Sequence, residues 1–256
     1  MSTFIDRHRR TLRGLFIPAS LLVLWEVSSH AGLVNPAILP PLEAVGARLI
    51  REIGNGELFT NLGASLARNL AGFAIGTTLG VAFGALLGLS RLADGIFGPS
   101  FNALKQIALL AWIPLLSIWF GFGETAKVVF IALAAFIPVV LNTYEGTRSV
   151  SVKLLEVGTA LTFSRAQLLR RVFLPSAVPS ILNGIQLALI YSWLATVASE
   201  YFMSVGPGIG GLVVAGRERF EMDLVMLGIV ILGLVGLALN RSAQALEHRF
   251  VRGRAV

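Results

Sequence analysis

The sequence predicts an all-α, polytopic membrane bundle, and three observations carry that expectation. Of 256 residues, 55% are hydrophobic and only 14% are charged, whereas soluble domains hold roughly 45–50% apolar and about 25% charged residues. Several apolar stretches approach the roughly 20 residues that a helix needs to cross the hydrocarbon core. The strict two-residue alternation of a membrane β-barrel is absent. The chain has no cysteine, which removes disulfides, thiolate metal sites and cysteine nucleophiles from consideration. Its net charge of +7 is explained first by Lys and Arg gathered in cytoplasmic loops, so nucleic acid is not an expected partner.

Residues 1–256 read as a single transmembrane domain, with a basic N-terminus (1–13), a helical bundle (14–241) and a tail (242–256). The first span is expected near 14–33, behind Arg7, Arg9, Arg10 and Arg13. Its run from Leu15 to Trp25 resembles the core of a signal peptide, but apolarity resumes past Glu26 and favours a span over a cleaved leader. Glu26 is either functional or a carboxylate reaching the interface or a neighbouring helix. Pro36, Pro40 and Pro41 then lead out of the membrane, and Val45, Leu49 and Ile53 mark an amphipathic helix on the outer surface, ending near Gly54 and Gly56.

The second span, 66–90, carries Gly72, Gly76, Gly80, Gly84 and Gly88 at four-residue spacing. Such a ridge lets another backbone approach closely, from the same subunit or from a second copy. The third span is expected over 101–119 with a kink or break at Pro114, the fourth over 125–145 around Pro138, the fifth over 178–203 and the sixth over 224–239. Six spans place both termini, the 91–100 turn and the 146–175 loop on one side, together with 15 of the 21 basic residues; Arg48, Arg51, Arg68, Lys127, Arg217 and Arg219 fall opposite. The basic excess makes the first side cytoplasmic.

The 146–175 loop has its own helical plan. Leu154, Leu155, Val157 and Leu161 share a face, Thr162 and Phe163 interrupt it, and Ser164 with Gln167 forms a capping box that starts a second helix. That helix gathers Leu168, Leu169, Val172 and Phe173, turns Arg165, Arg170 and Arg171 to headgroups or a partner, and is expected to end at Pro175.

With Glu156 at its start and Leu174-Pro175 at its close, this loop resembles the EAA coupling loop of ATP-binding-cassette importer permeases. It departs from that pattern at Val157 and Gly158, where two alanines are usual, and at Thr162, where glycine is usual. ILPPLEAV at 38–45, IPLLSIWFGFGETAKVVFIAL at 113–133, NTYEGTRSV at 142–150 and GIGGLVV at 208–214 are similar to the permeases of the nitrate, sulfonate, taurine and bicarbonate importers, most of all those for aliphatic sulfonates. The resemblance implies ATPase coupling through Glu156, Gly158, Thr162, Ser164, Leu174 and Pro175. It also implies a cytoplasmic ATPase dimer that binds ATP and Mg in this chain's stead, a second copy of the permease, an extracytoplasmic solute-binding protein and a place in the bacterial inner membrane.

Within the fifth span, Gln186, Trp193 and Glu200 recur every seven residues, with Asn183 and Thr196 near the same side. This stripe is read as lining a translocation pathway, with interhelical hydrogen bonding as the alternative. Asn102, Lys105 and Gln106 are weaker candidates; Lys105 either attracts an anion or snorkels to headgroups. Gly206–Gly211 fits GxGxxG without a preceding strand and reads as an outer turn or re-entrant segment. No Walker motif is present, and His8, His30 and His248 are scattered, so neither nucleotide hydrolysis nor a metal site is expected in this chain. The remaining rivals are an intramembrane enzyme, for which no nucleophile–base pair is apparent, and an autonomous carrier, for which no internal repeat is apparent.

Overall fold

The computed structural model describes the backbone of residues 2–252 and the side chains of residues 16–245 other than 152, 155 and 165. The basic side chains of Arg7, Arg9, Arg10, Arg13, Arg165, Arg249, Arg252 and Arg254, with Leu155, His8 and His248, lie outside that description. Every regular element described is a helix: α1 (Ser2–His30), α2 (Leu42–Gly54), α3 (Glu57–Leu89), α4 (Arg91–Leu104), α5 (Trp112–Phe120), α6 (Glu124–Arg148), α7 (Val152–Ala160), α8 (Arg165–Leu168), α9 (Leu174–Phe202), α10 (Ile209–Glu218) and α11 (Met222–Arg252). Among the described residues four helical stretches are long and apolar enough to cross a membrane, and a bent pair makes a fifth if counted as one broken span. The expected first span falls on α1, half of whose side chains are outside the description.

The third span differs from expectation. The chain breaks at 105–108, not at Pro114, and the helices on either side meet at 88°. Pro114 sits in the first turn of α5, where a missing N–H costs no hydrogen bond, so it starts a helix instead of kinking one.

The chain forms two compact units. In the first, residues 1–59 and 212–230, three side chains of α1 fasten the proline-rich turn. Trp25 Nε1 donates to the Pro40 carbonyl at 2.8 Å, Ser29 Oγ donates to Leu39 at 3.0 Å, and Glu26 accepts from the Leu42 amide at 3.0 Å. Glu26 thus satisfies a free amide at the start of α2, as the second of its two expected roles requires. Arg48 pairs with Glu52 and Glu221, both at 2.8 Å. Burial opposes its charge, but the Glu52 hydrogen bond together with Glu221 and Asp223 outweighs burial and raises the guanidinium above its ordinary pKa.

In the second unit, residues 60–211 and 231–256, α6 packs against both α3 and α9. The glycine ridge of α3 faces α6 of the same chain. A Cβ on Gly76 would stand 2.2 Å from the Ala132 carbonyl, one on Gly84 would stand 2.7 Å from that of Val140, and Gly72, Gly80 and Gly88 meet Ile131, Val139 and Thr147. An adjacent face of α6 meets α9 through Gly146 and Gly184, whose added Cβ atoms would come within 2.8 Å of Ser180 and 2.7 Å of Asn142. Ser180 Oγ donates to the Asn142 carbonyl at 2.7 Å across that seam.

Candidate functional site

Three features of the second unit bear on function: a projecting two-helix knob, a buried charge cluster and a cleft at the helix break.

The knob begins with α7. Its C-terminus closes on Thr162, whose φ of 55° is in the left-handed region. The Thr162 amide donates to Thr159 at 2.9 Å and the Phe163 amide to Gly158 at 3.0 Å. These are the two bonds of a Schellman cap, in a position that ordinarily takes glycine. Threonine is held there by what surrounds it: Phe163 and Leu168 close over Gly158, where an added Cβ would come within 2.6 Å of Leu168. Ser164 and Gln167 exchange reciprocal hydrogen bonds, with Gln167 Oε1 accepting from the Ser164 amide at 2.8 Å and Ser164 Oγ accepting from the Gln167 amide at 3.3 Å. The Arg171 guanidinium lies over the Phe163 ring, 5.3 Å from its centroid. Glu156 and Pro175 are exposed, as are the apolar Leu154, Val157, Leu161 and Leu174.

Pro175 does not end the second helix, contrary to expectation. Helix continues through residues 166–202, with a π-turn at Leu169–Phe173 leading into α9. Pro175 has no N–H for the preceding turn. The Leu174 amide bonds back to Leu169 instead, and the wider turn carries the helix past the proline.

At the far end of α9, Glu200 is buried, with Arg68 and Lys127. Its carboxylate accepts from Arg68, from Ser65 Oγ at 2.7 Å and from the Gly210 amide at 2.8 Å. Arg68 also binds Glu124 through two hydrogen bonds of 2.6 Å and the Pro207 carbonyl at 3.1 Å. Lys127 donates to the Val205 carbonyl, and Asn61 Oδ1 accepts from the Gly208 amide at 2.7 Å. The glycine loop 206–211 therefore does cradle an anion at the start of a helix, and the anion is the chain's own Glu200. Gly208 and Gly210 are fitted to it, since a Cβ on either would stand 2.6 Å or 2.7 Å from Glu200. Ser65, Arg68, Glu124 and Lys127 were not picked out from sequence. The available signal was four polar or ionisable residues near the ends of apolar spans.

The polar stripe of α9 does not converge on one cavity. Trp193 Nε1 donates to the Leu232 carbonyl of α11 at 3.2 Å. Thr196 and Ser192 both accept from Asn69 of α3 at 3.1 Å. Gln186 is half-buried, Glu200 belongs to the charge cluster, and Asn183 is exposed and donates to Asn142 Oδ1 at 2.9 Å. A cleft of about 440 Å3 opens elsewhere, where the 105–108 break meets Pro138 and Asn142 of α6 and Leu187 and Tyr191 of α9. A second groove, about 370 Å3 between α3 and α6, has only apolar side chains and Gly76 along it.

Glu26, His30 and Glu43 are the one group of three metal-ligand-type side chains that comes together among the described residues, within 4.8 Å of one another. His30 and Glu43 are exposed, and the 3.2 Å and 3.8 Å separations from His30 to Glu43 and Glu26 are those of ion pairs.

The family described as the binding-protein-dependent transport system inner membrane component matches residues 76–252. A Bacillus subtilis (strain 168) protein named as an aliphatic sulfonates transport permease, SsuC, is 36% identical over 243 residues, covering 95% of this chain and 88% of its own. The taurine transport system permease TauC of Escherichia coli (strain K12) is 33% identical, covering 90% and 86%, and the bicarbonate transport system permease CmpB of Synechococcus elongatus is 31% identical, covering 97% and 94%. Among solved structures, an amino acid ABC transporter aligns with a TM-score of 0.64 over 78% of this chain and 97% of its own at 18% identity. The inward-facing MetNI methionine ABC transporter aligns at 0.60 over 75% and 95% at 19% identity. These two show a shared fold. The chain belongs to the family of inner-membrane components of binding-protein-dependent transport systems, as an ABC transporter permease.

Proposed function

We propose that this permease is the membrane path of an importer for a small anion, an aliphatic sulfonate, and that a separate ATPase drives it through the 156–175 knob. The observation that carries the coupling role is the knob itself: exposed Glu156, Leu154, Val157, Leu161 and Leu174 stand on a corner braced by a Schellman cap and a capping box. Exposed apolar side chains on a rigid two-helix unit suit a groove in a partner. Because the second knob helix runs on into α9, a push on the knob becomes a movement of a membrane helix.

Two permease copies, two ATPases carrying the ATP and Mg, and an extracytoplasmic solute-binding protein complete this assembly. Both termini and the knob lie on the cytoplasmic side of the bacterial inner membrane, in keeping with the 15 of 21 basic residues assigned there. The sulfonate assignment is supported by the SsuC relative at 36% identity.

The test is a double variant, Glu156→Lys with Leu174→Asp, in the detergent-solubilised complex. ATPase co-purification and ATP-driven uptake are both expected to be lost while the permease remains folded. Retention of both would remove the coupling role.

A further inference from the structure

The polar cleft at the helix break has a composition that the family assignment does not dictate. We infer that it is a subsite for an aliphatic oxyanion, with Lys105 as its charge-selecting residue. This rests on the importer reading above and assigns its selectivity to a place in the fold.

The site lies where the backbone of the third span is interrupted between α4 and α5, at an 88° bend. Irregular backbone within an apolar bundle is tolerated where it lines a cavity or is buried in protein, and broken helices in transporters supply substrate contacts. The residues of the break, Lys105 to Ala108, and Leu109 after it form one wall of the 440 Å3 cleft. That volume is in the range of small-molecule sites.

Among the described residues, Lys105 is the only charged one along this cleft. No salt bridge engages it among the described residues. Asp94 and Glu145 line a smaller pocket of about 140 Å3 that Lys105 also borders, but Asp94 is held by Arg148 at 3.0 Å and by the Tyr144 hydroxyl at 3.2 Å. Lys105 is half-buried as a residue and has no carboxylate within ion-pair distance among the described residues, so its cationic end is left for an anion or water to meet. Gln106 and Tyr191 add an amide and a hydroxyl to the same lining, both able to donate to an oxyanion. The amide of Asn142 is already committed, donating to the Pro138 carbonyl at 2.9 Å and accepting from Asn183.

The rest of the lining decides the class of solute. Leu109, Ile137, Leu141 and Leu187 present hydrocarbon. An alkyl chain gains by lying against them, whereas bicarbonate and nitrate have no apolar part to bury. Taurine carries an ammonium as well as a sulfonate, and the cleft offers no carboxylate to receive it. The match is to an anion with an oxyanion head and an uncharged aliphatic tail.

The experiment is ATP-driven uptake of labelled ethanesulfonate by the reconstituted complex of permease, ATPase and solute-binding protein, with ATPase turnover measured alongside. Uptake should follow the charge of the cleft. Lys105→Arg should stay within about threefold of the unaltered protein, whereas Lys105→Gln and Gln106→Glu should each fall roughly tenfold or more, with the ATPase still bound. Unchanged uptake in Lys105→Gln overturns the site. If that variant does not assemble, Gln106→Glu at its exposed position decides the matter by the same criterion. Failure of the unaltered complex to move ethanesulfonate, taurine or bicarbonate would instead remove the importer assignment, and the site with it. Ethanesulfonate uptake that is indifferent to both substitutions leaves the importer assignment standing and removes the site alone.

Discussion

The two ends of α9 are built on opposite terms. At its N-terminal end the knob exposes leucines and a carboxylate, and its internal order comes from backbone caps and a few small apolar contacts. At its C-terminal end Glu200, Arg68 and Lys127 are withdrawn from solvent, Glu200 is paired with Arg68, and all three are tied to the 205–210 loop. Charges placed inside and hydrocarbon placed outside invert the usual arrangement of a protein in water. The first end is the surface proposed above to receive a partner, while the second has its charges met within one chain and uses them to hold the 205–210 loop.

Removing a partner from the satisfied end should give the largest effect. Glu200→Ala takes the acceptor away from Ser65 Oγ and the Gly210 amide and one of two carboxylates away from Arg68, which keeps Glu124; lost hydrogen bonds to a buried charged group cost about 1.5–3 kcal/mol each. For a chain of this size that is a Tm loss on the order of 10 °C. Thermal unfolding in detergent measures it, and ATPase binding at the opposite end should persist below the transition. An equal loss of ATPase binding would show that the two ends are not independent.

Overpacking the ridge between them is expected to have an intermediate effect. Gly76→Val sets a branched side chain against the Ala132 carbonyl, 2.2 Å from the position of its Cβ. The helices must separate, at a cost of about 1–3 kcal/mol. Uptake and Tm should fall together, and a neutral variant would mean that the α3–α6 seam is looser than it looks.

The smallest effect belongs to the knob. Thr162→Gly removes the penalty of a β-branched residue at positive φ, about 1–2 kcal/mol, and adds the backbone entropy cost of glycine, about 0.5–1 kcal/mol. The net gain is about 0–1.5 kcal/mol. Coupling should be retained and local hydrogen exchange at Thr162 and Phe163 slowed. Faster exchange at those amides would mean that the threonine side chain contributes to the corner, through its Oγ1 bond to the Leu161 carbonyl at 2.8 Å.

Much of this was legible in the sequence where the signal is local. The capping box at Ser164 and Gln167 needs only a three-residue spacing, and the close approach along Gly72–Gly88 needs only a four-residue period. The identity of the approaching helix was not legible, because a smooth face says how near a neighbour comes and not which one it is. Thr162 argued against the glycine corner when judged by residue preference. In the fold, the Phe163 amide bond and the packing of Phe163 and Leu168 over Gly158 outweigh that preference. The Arg68–Glu200 pair is separated by 132 residues, so only the folded chain brings it together. Pro114 lies in the first turn of α5, and a proline breaks a helix only when it is not already at its start.

The π-turn at Leu169–Phe173 also sets an angle. Each residue turns an α-helix by about 100°, so one residue of slack in that segment fixes the azimuth at which the knob stands relative to the face of α9 that carries Leu187 and Tyr191. Changing the chain by a single residue there would swing the knob about a quarter-turn around the axis. An ATPase pushing on it would then move the same helix in a different direction. In the coupling proposed above, the stroke has a direction as well as a length, and the five residues Leu169–Phe173 set it.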